Sequence, residues 1–264
     1  MAHMDAQTLQ TCADAIFASR QDRQPIQPVS QTHGVTGADF AYQIQELNTK
    51  RWLADGRRLS GRKIGLTSKA VQAQLGVDQP DYGMLWADGA VEEGASVSAG
   101  VFMQPRVEAE IAFLLKRDLV SPDLSMSTLV TAIDCAMPAV EIVDSAIADW
   151  KITLADTIAD NASAGGFMLG LSPRLLGEID LRLCGMVMSR DGETVSSGLG
   201  AACLGNPLIA TLWLARTMAR VGRPLSAGDV VLSGALGPMV SAQEGDRFWV
   251  EIQGFSPFSI HFGA

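Results

Sequence analysis

The sequence predicts an α+β fold with a β-rich core and an N-terminal helical cap. Helical periodicity dominates as far as Gly56, whereas beyond Arg57 the chain turns to short β-type runs punctuated by Gly, Pro and Asp. One strong helix interrupts those runs late in the chain, so the regular βαβ alternation of a parallel α/β sheet is not present. At 264 residues, 47% hydrophobic and 19% charged, the chain can bury a full core without disulfide staples.

The elements follow in order. Residues 1–4, Met-Ala-His-Met, read as a cloning scar. Residues 5–20 have helical spacing and run into an Arg/Gln/Pro-rich linker that ends near residue 30. Thr36-Gly37-Ala38-Asp39 has the form of a capping box, with Phe40, Ile44 and Leu47 continuing one helical face. Val107–Leu115, Ala139–Val143, Arg182–Ser189, Asp229–Leu232 and Phe248–Ile252 read as strands, and Asp191-Gly192 as a hairpin turn. Asn206 as N-cap, Pro207 at the first helical position and Gly222 as stop bracket an apolar stripe from Leu208 to Val221. The expected organisation is a helical cap region over 5–60 and a β-rich catalytic domain over 61–264.

Composition narrows the function. Lys and Arg total 20 against 29 Asp and Glu, a formal charge of −9, which repels phosphate backbones and argues against a nucleic-acid partner. No apolar run approaches the ~18–20 residues that span a bilayer, and the start lacks a signal peptide. Cys12, Cys135, Cys184 and Cys203 are dispersed, without a CxxC pair, as in reduced cytoplasmic proteins. A cytoplasmic enzyme with no membrane partner is therefore expected. With His3 in the scar, only His33 and His261 remain, so a histidine-rich zinc site is excluded and any metal must be held mainly by oxygen. No GxGxxG or P-loop occurs.

Three carboxylates demand a reason. On the strand Arg106–Leu115, Val107, Ala109, Ile111 and Phe113 share one face and Glu108 and Glu110 the other, about 6.5–7 Å apart along the strand. The acidic face continues into Ala112 and Leu114 and so enters the protein, where two like charges repel unless a cation sits between them. Glu141 stands alone in the apolar run Pro138–Val143, costly unless paired. A basic partner would satisfy Glu141 alone; a shared divalent cation would neutralise all three glutamates, and all-oxygen ligation suits Mg²⁺ or Mn²⁺.

At these residues the chain resembles a known family. PRVEAEIAF (Pro105–Phe113) and PAVEIVDS (Pro138–Ser145) are similar to the metal motifs of the fumarylacetoacetate hydrolase superfamily, and within it to the hydratase/decarboxylase family. Arg62–Gly83, DTIADNAS (Asp156–Ser163), LGNPLIATLWLA (Leu204–Ala215) and LSGALGPMV (Leu232–Val240) match in the expected order, from about residue 20 onward. The resemblance implies mixed, rolled sheets and a homo-oligomer. It also implies Mg²⁺- or Mn²⁺-dependent hydration of 2-hydroxypenta-2,4-dienoate to a 4-hydroxy-2-oxo acid, a small anionic substrate of aromatic meta-cleavage catabolism. Glu108, Glu110 and Glu141 stand at the metal-ligand positions.

The same resemblance puts Lys63 and Asp81 at active-site positions, with Asp78 as a second candidate for the proton shuttle, and assigns substrate contacts to Ser163, Asn161 and Leu66. By residue type alone, Lys63 reads as a surface lysine and Asp81 as a turn former in Asp78–Gly83. The sequence departs from the family pattern at Ala146, where an Arg usually follows Asp-Ser, and at Asn206, where His is commoner. The first puts substrate preference in question or removes an ion pair.

Three enzyme alternatives remain: decarboxylation of 2-oxo-3-hexenedioate, hydration of a longer diacid such as 2-oxohept-4-ene-1,7-dioate, and C–C hydrolysis. Asp81 favours hydration over decarboxylation, since the position before Tyr-Gly tends to be apolar in the decarboxylases. Hydrolysis needs a His–Glu pair that His33 and His261 do not form. A non-catalytic partner subunit is the alternative from another class, and association with a downstream aldolase or sister decarboxylase is a further expectation.

Overall fold

The computed structural model describes residues 4–69, 72–73 and 77–263. Residues 1–3 of the expected scar, parts of the Arg62–Gly83 motif and the last residue of the expected 61–264 domain lie outside these.

The Asp5 carboxylate accepts the Thr8 backbone N–H at 2.7 Å and caps helix α1 (Ala6–Asp22). A single turn, α2 (Val29–Thr32), leads to α3 (Ala38–Ala54). The capping box expected at Thr36 does not form. Gly37 occupies the N-cap position at φ 81°, a left-handed backbone that suits glycine, and the helix begins one residue later without a side-chain cap. Cys12, Ala13 and Ile16 of α1 and Ala41 and Ile44 of α3 bury against one another. They also enclose, beyond α4 (Met126–Ala132), Ile158 and Ala159 of α5 (Leu154–Ala159), a helix far along the chain whose place in this cluster the sequence does not reveal.

The remaining chain forms two curled sheets. The larger runs in the order β2 (Asp81–Trp86), β1 (Leu59–Gly65), β10 (Val230–Ala235), β5 (Arg106–Leu115), β6 (Ile133–Val143), β7 (Ala164–Leu169) and β3 (Ala90–Val91), with β11 (Val240–Ser241) also on β5. The smaller runs β4 (Ser96–Ser98), β13 (Phe258–Gly263), β12 (Arg247–Ile252), β8 (Gly185–Arg190) and β9 (Glu193–Leu199). Parallel β1/β10, β3/β7 and β4/β13 pairs among antiparallel neighbours make both sheets mixed, as expected. Val107, Ala109, Ile111 and Phe113 face the smaller sheet's Phe248, Ile260 and Phe262 in the main core.

Most predicted elements are found. Asp191 (φ 53°) and Gly192 (φ 83°) make the β8–β9 turn. Helix α6 (Pro207–Arg220) starts at Asn206, whose side chain accepts the Leu208 N–H at 2.9 Å, so the departure at Asn206 supplies a cap. The strand expected from Arg182 begins only at Gly185, because the Asp180 carboxylate takes the N–H groups of Arg182 and Leu183 into a turn. The loop expected around Asp81 is corrected more sharply: Asp81 is the first residue of β2, paired with Gly65 on β1. Neither strand shows the alternation that announces a half-buried strand, because both are almost wholly buried and β1 carries Gly61, Arg62, Lys63 and Gly65.

Candidate metal centre

The register of β5 and β6 sets Glu108 directly opposite Glu141, with Glu110 two residues further along the same face. One carboxylate oxygen from each lies within 4.8 Å of the other two, and among the described residues no other group of His, Cys, Asp or Glu converges in this way. Glu110 and Glu141 are fully buried and Glu108 is half-buried, the most accessible of the three. Glu110 Oε2 accepts the Gly234 backbone N–H at 2.8 Å. That approach needs glycine: at φ 108° the backbone of Gly234 is left-handed, and a Cβ would sit 2.3 Å from Thr67 Oγ1.

Lys63 reaches the cluster from β1. Its Nζ stands 3.1 Å from Glu141 Oε1 and donates to the Ala162 carbonyl at 2.9 Å. The basic partner weighed for Glu141 is therefore present, but it satisfies only part of the acidity. Glu110 Oε1 and, apart from that ion pair, both oxygens of Glu141 accept no hydrogen bond. Orphaned buried carboxylate oxygens are rare because each forfeits the hydration it had in the unfolded chain. Burial pushes the Glu108 carboxyl up to about 7, with the charge of Glu141 adding to it and Lys63 opposing. Burial raises Glu110 well above the carboxylate range, with Glu141 and Glu108 adding to the shift, and raises Glu141 against the pull of Lys63. For Lys63 itself, burial favours the neutral amine, yet Glu141, Asp81, Glu108 and Glu110 together hold the ammonium above its ordinary value. Three oxygen donors facing one another, with a surplus of negative charge, fit a hard divalent cation.

Asp81 and Asp78 part company. Asp81 is buried, its carboxyl raised by burial against the charge of Lys63, and its Oδ1 has no hydrogen-bond partner. It packs so close to β1 that a Cβ on Gly65 would lie 2.1 Å from Oδ1. Asp78 is exposed in the bend before β2. Leu66, next to Gly65, is half-buried with φ 56°, and its carbonyl accepts Gln72 Nε2 at 2.7 Å.

The segment after α5 is unusual. Asn161, Ala162 and Ser163 all have φ between 52° and 56°, a left-handed run of non-glycine residues that costs on the order of 1 kcal/mol each. Asn161 is engaged by backbone: its Oδ1 accepts the Met84 N–H at 2.7 Å and its Nδ2 donates to the Met84 carbonyl at 2.9 Å. Ser163 Oγ lies 3.3 Å from Thr157 Oγ1. Gly165 and Gly166 belong to β7, beside β6. Asp160 anchors the run, its carboxylate held by Arg20 of α1 and by the Ala146 N–H. Burial pushes Asp160 up to about 6 against the opposing charge of Arg20. Sequence reasoning missed Arg20, the Ala162 carbonyl and the Gly234 N–H. Two are backbone groups that carry no residue-type signal, and the third is the single arginine of α1, whose partner Asp160 lies 140 residues away.

A cavity of about 730 Å³ lies elsewhere, between α1, α3 and the 144–165 region; Arg20, Trp52, Trp86, Asp144 and Asp160 line it and none of the three glutamates does. Among the described residues no helix is long and apolar enough to cross a membrane.

Comparison with known proteins agrees with this fold. The fumarylacetoacetate (FAA) hydrolase C-terminal family matches residues 57–261. The chain is 52% identical over 262 residues to 2-keto-4-pentenoate hydratase 1 of Dechloromonas aromatica (strain RCB), covering 99% of this chain and 100% of the relative. It is 55% identical over 250 residues to the TodF product hydratase of Pseudomonas putida F1, covering 95% and 93%. The structure of 4-oxalocrotonate decarboxylase from Pseudomonas putida G7, complexed with magnesium and adipate, superposes with a TM-score of 0.94 at 33% identity, over 99% of this chain and 100% of that one. A family match over residues 57–261, with relatives more than half identical along nearly the whole chain, means that the chain belongs to the fumarylacetoacetate (FAA) hydrolase family.

Proposed function

We propose that the protein is a divalent-metal-dependent hydratase that converts 2-hydroxypenta-2,4-dienoate into 4-hydroxy-2-oxopentanoate. The observation that carries the reading is the convergence of Glu108, Glu110 and Glu141 around orphaned oxygens, with a protonated Lys63 beside them. Two hydratases more than half identical along nearly their full lengths support the reaction type. The three glutamates would hold Mg²⁺ or Mn²⁺, the hard cations that all-oxygen donors favour. When bound, such an ion supplies Lewis-acid stabilisation of negative charge on an oxygen of the substrate.

The residues of the chain divide the remaining work. Overall the enol proton leaves, a proton adds at C5, the oxygen of water adds at C4 and a proton adds at C3. Lys63 keeps its proton because four acidic groups surround it, so it serves as a fixed cation that draws the anionic substrate in and stabilises charge on its oxygen. Asp81 has a free acceptor oxygen and a carboxyl raised above its ordinary value by burial, which suits a group that takes a proton at one stage and returns it at another. Ser163 offers a hydroxyl to the substrate carboxylate and Leu66 an apolar contact to its carbon chain. Asn161, locked to Met84, supports that segment.

A spectrophotometric assay on 2-hydroxypenta-2,4-dienoate, with and without EDTA, tests the reading. Turnover lost on chelation and restored by Mg²⁺ or Mn²⁺ is expected. Carbon dioxide release from 2-oxo-3-hexenedioate with no hydration of the dienoate would transfer the chain to the decarboxylases. Asp81→Asn is expected to lower kcat by about 10²–10⁴-fold while Mn²⁺ affinity holds; an unchanged kcat removes Asp81 from the mechanism.

A further inference from the structure

We infer that Arg20, on the N-terminal helix α1, is a positioning residue for the active site: it clamps the left-handed run Asn161–Ser163 in the conformation that offers the Ala162 carbonyl to Lys63. The inference rests on the reading that Lys63 acts on the substrate.

Arg20 Nε and Nη2 both donate to the Asp160 carboxylate, each at 2.8 Å, a two-pronged contact that fixes orientation as well as distance. Nη1 reaches Asp144 Oδ2 at 3.3 Å and Nη2 donates to the Asp144 carbonyl. One guanidinium thus ties the segment leaving β6, three residues beyond Glu141, to the residue that opens the left-handed run. Both carboxylates are almost wholly buried, at 4% and 1% exposure, so neither has water to replace the arginine. The last residue of the run is tied to the same two acidic residues: Ser163 N–H donates to the Asp160 carbonyl at 2.9 Å, and the Ser163 carbonyl accepts the Asp144 N–H at 2.8 Å. Ala162, whose carbonyl takes the Lys63 ammonium, lies between Asp160 and Ser163. A backbone held away from its preferred region persists only where the surroundings over-determine it. Arg20 is the one charged side chain contributed to this arrangement by the helical cap among the described residues. Ala146, where the sequence departs from the family pattern, is buried and contributes its N–H to the same Asp160 carboxylate.

The 730 Å³ cavity gives the test its discriminating arm. Arg20 lines it, so removing the side chain opens the site to a small cation from solution. In Arg20→Ala, kcat on the dienoate is expected to fall about ten- to a hundredfold, the penalty of a slightly misplaced group, with KM changed less than about threefold. Mn²⁺ binding, followed by titration calorimetry, should match the wild type. Deuterium uptake at the Ser163 and Asp144 amides should rise. Guanidinium at millimolar concentration should restore both kcat and amide protection, and Arg20→Lys should fall between the two proteins; Arg20→Lys also carries the comparison if Arg20→Ala does not fold. Wild-type kcat in Arg20→Ala would overturn the inference. So would a loss of kcat that neither guanidinium nor lysine relieves, or one that tracks a loss of Mn²⁺ binding. If wild-type protein fails to hydrate the dienoate, the proposed function falls, while the amide-exchange and guanidinium arms still decide whether Arg20 holds the run.

Discussion

Strand β5 shows two unlike faces to the same molecule. On one, Val107, Ala109, Ile111 and Phe113 close against the smaller sheet, each at most 1% exposed, and every buried methylene adds to stability. On the other, Glu110 is equally buried and Glu108 half-buried, their carboxylates meet Glu141, and oxygens of Glu110 and Glu141 are left without hydrogen-bond partners. The first face stabilises the fold by removing apolar surface from water. The second costs stability unless a cation is present, and it is tolerated because the first supplies a surplus. The two faces alternate residue by residue, so function and folding are separated by a single peptide unit.

That contrast can be broken by mutation. The largest effect is expected on the acidic face: Glu141→Ala or Glu108→Ala should take hydration below detection and abolish Mn²⁺ binding measured by calorimetry, with the circular dichroism spectrum unchanged. On the apolar face Phe113→Ala should do the reverse, costing about 3–5 kcal/mol in denaturant unfolding while the surviving folded protein still binds Mn²⁺.

A sharper test separates the glutamates themselves. In metal-free protein, Glu110→Gln removes the cost of burying or neutralising a carboxylate and keeps an oxygen for the Gly234 N–H, so it should raise stability by on the order of 1 kcal/mol. Glu141→Gln strands Lys63 and should not.

Proton linkage supplies the next measurement. Glu108 rises from 4.5 to about 7 on folding, so the folded state binds more protons than the unfolded state between those values. Metal-free protein should therefore lose stability as pH rises from 4.5 to about 7; Glu110, Glu141 and Asp81, shifted in the same direction, extend the effect. A melting temperature for EDTA-treated protein that climbs over that range would show that burial and like charge do not hold these carboxyls above their ordinary range. The smallest effect is expected far from both faces: Asn206→Ala should cost about 1 kcal/mol through the lost helix cap, with kcat unchanged.

Much of this was legible in the order of the residues. Alternation along Val107–Leu115 gave β5, its two faces and the separation of Glu108 from the core, because a strand's period of two is a covalent property of extended backbone. The absence of a nearby charge of opposite sign singled out Glu141, and cap and stop residues bracketed α6. What residue order could not give is which distant groups come together. Lys63 and Asp81 reside on strands so fully buried that no alternation marks them. The pairing of Lys63 with Glu141, with Asp81 beside it, follows from the strand order β2-β1-β10-β5-β6, which is settled by packing across the whole sheet. The Ala162 carbonyl and the Gly234 N–H are backbone groups, present at every residue and made special only by position. Arg20 meets Asp160 across 140 residues, a contact that exists because α5 is packed among the N-terminal helices. The sequence by itself determined the local periodicities and the chemical types available; the tertiary structure alone decided which charges share one low-dielectric space, because burial and proximity belong to the assembled chain and to no segment of it.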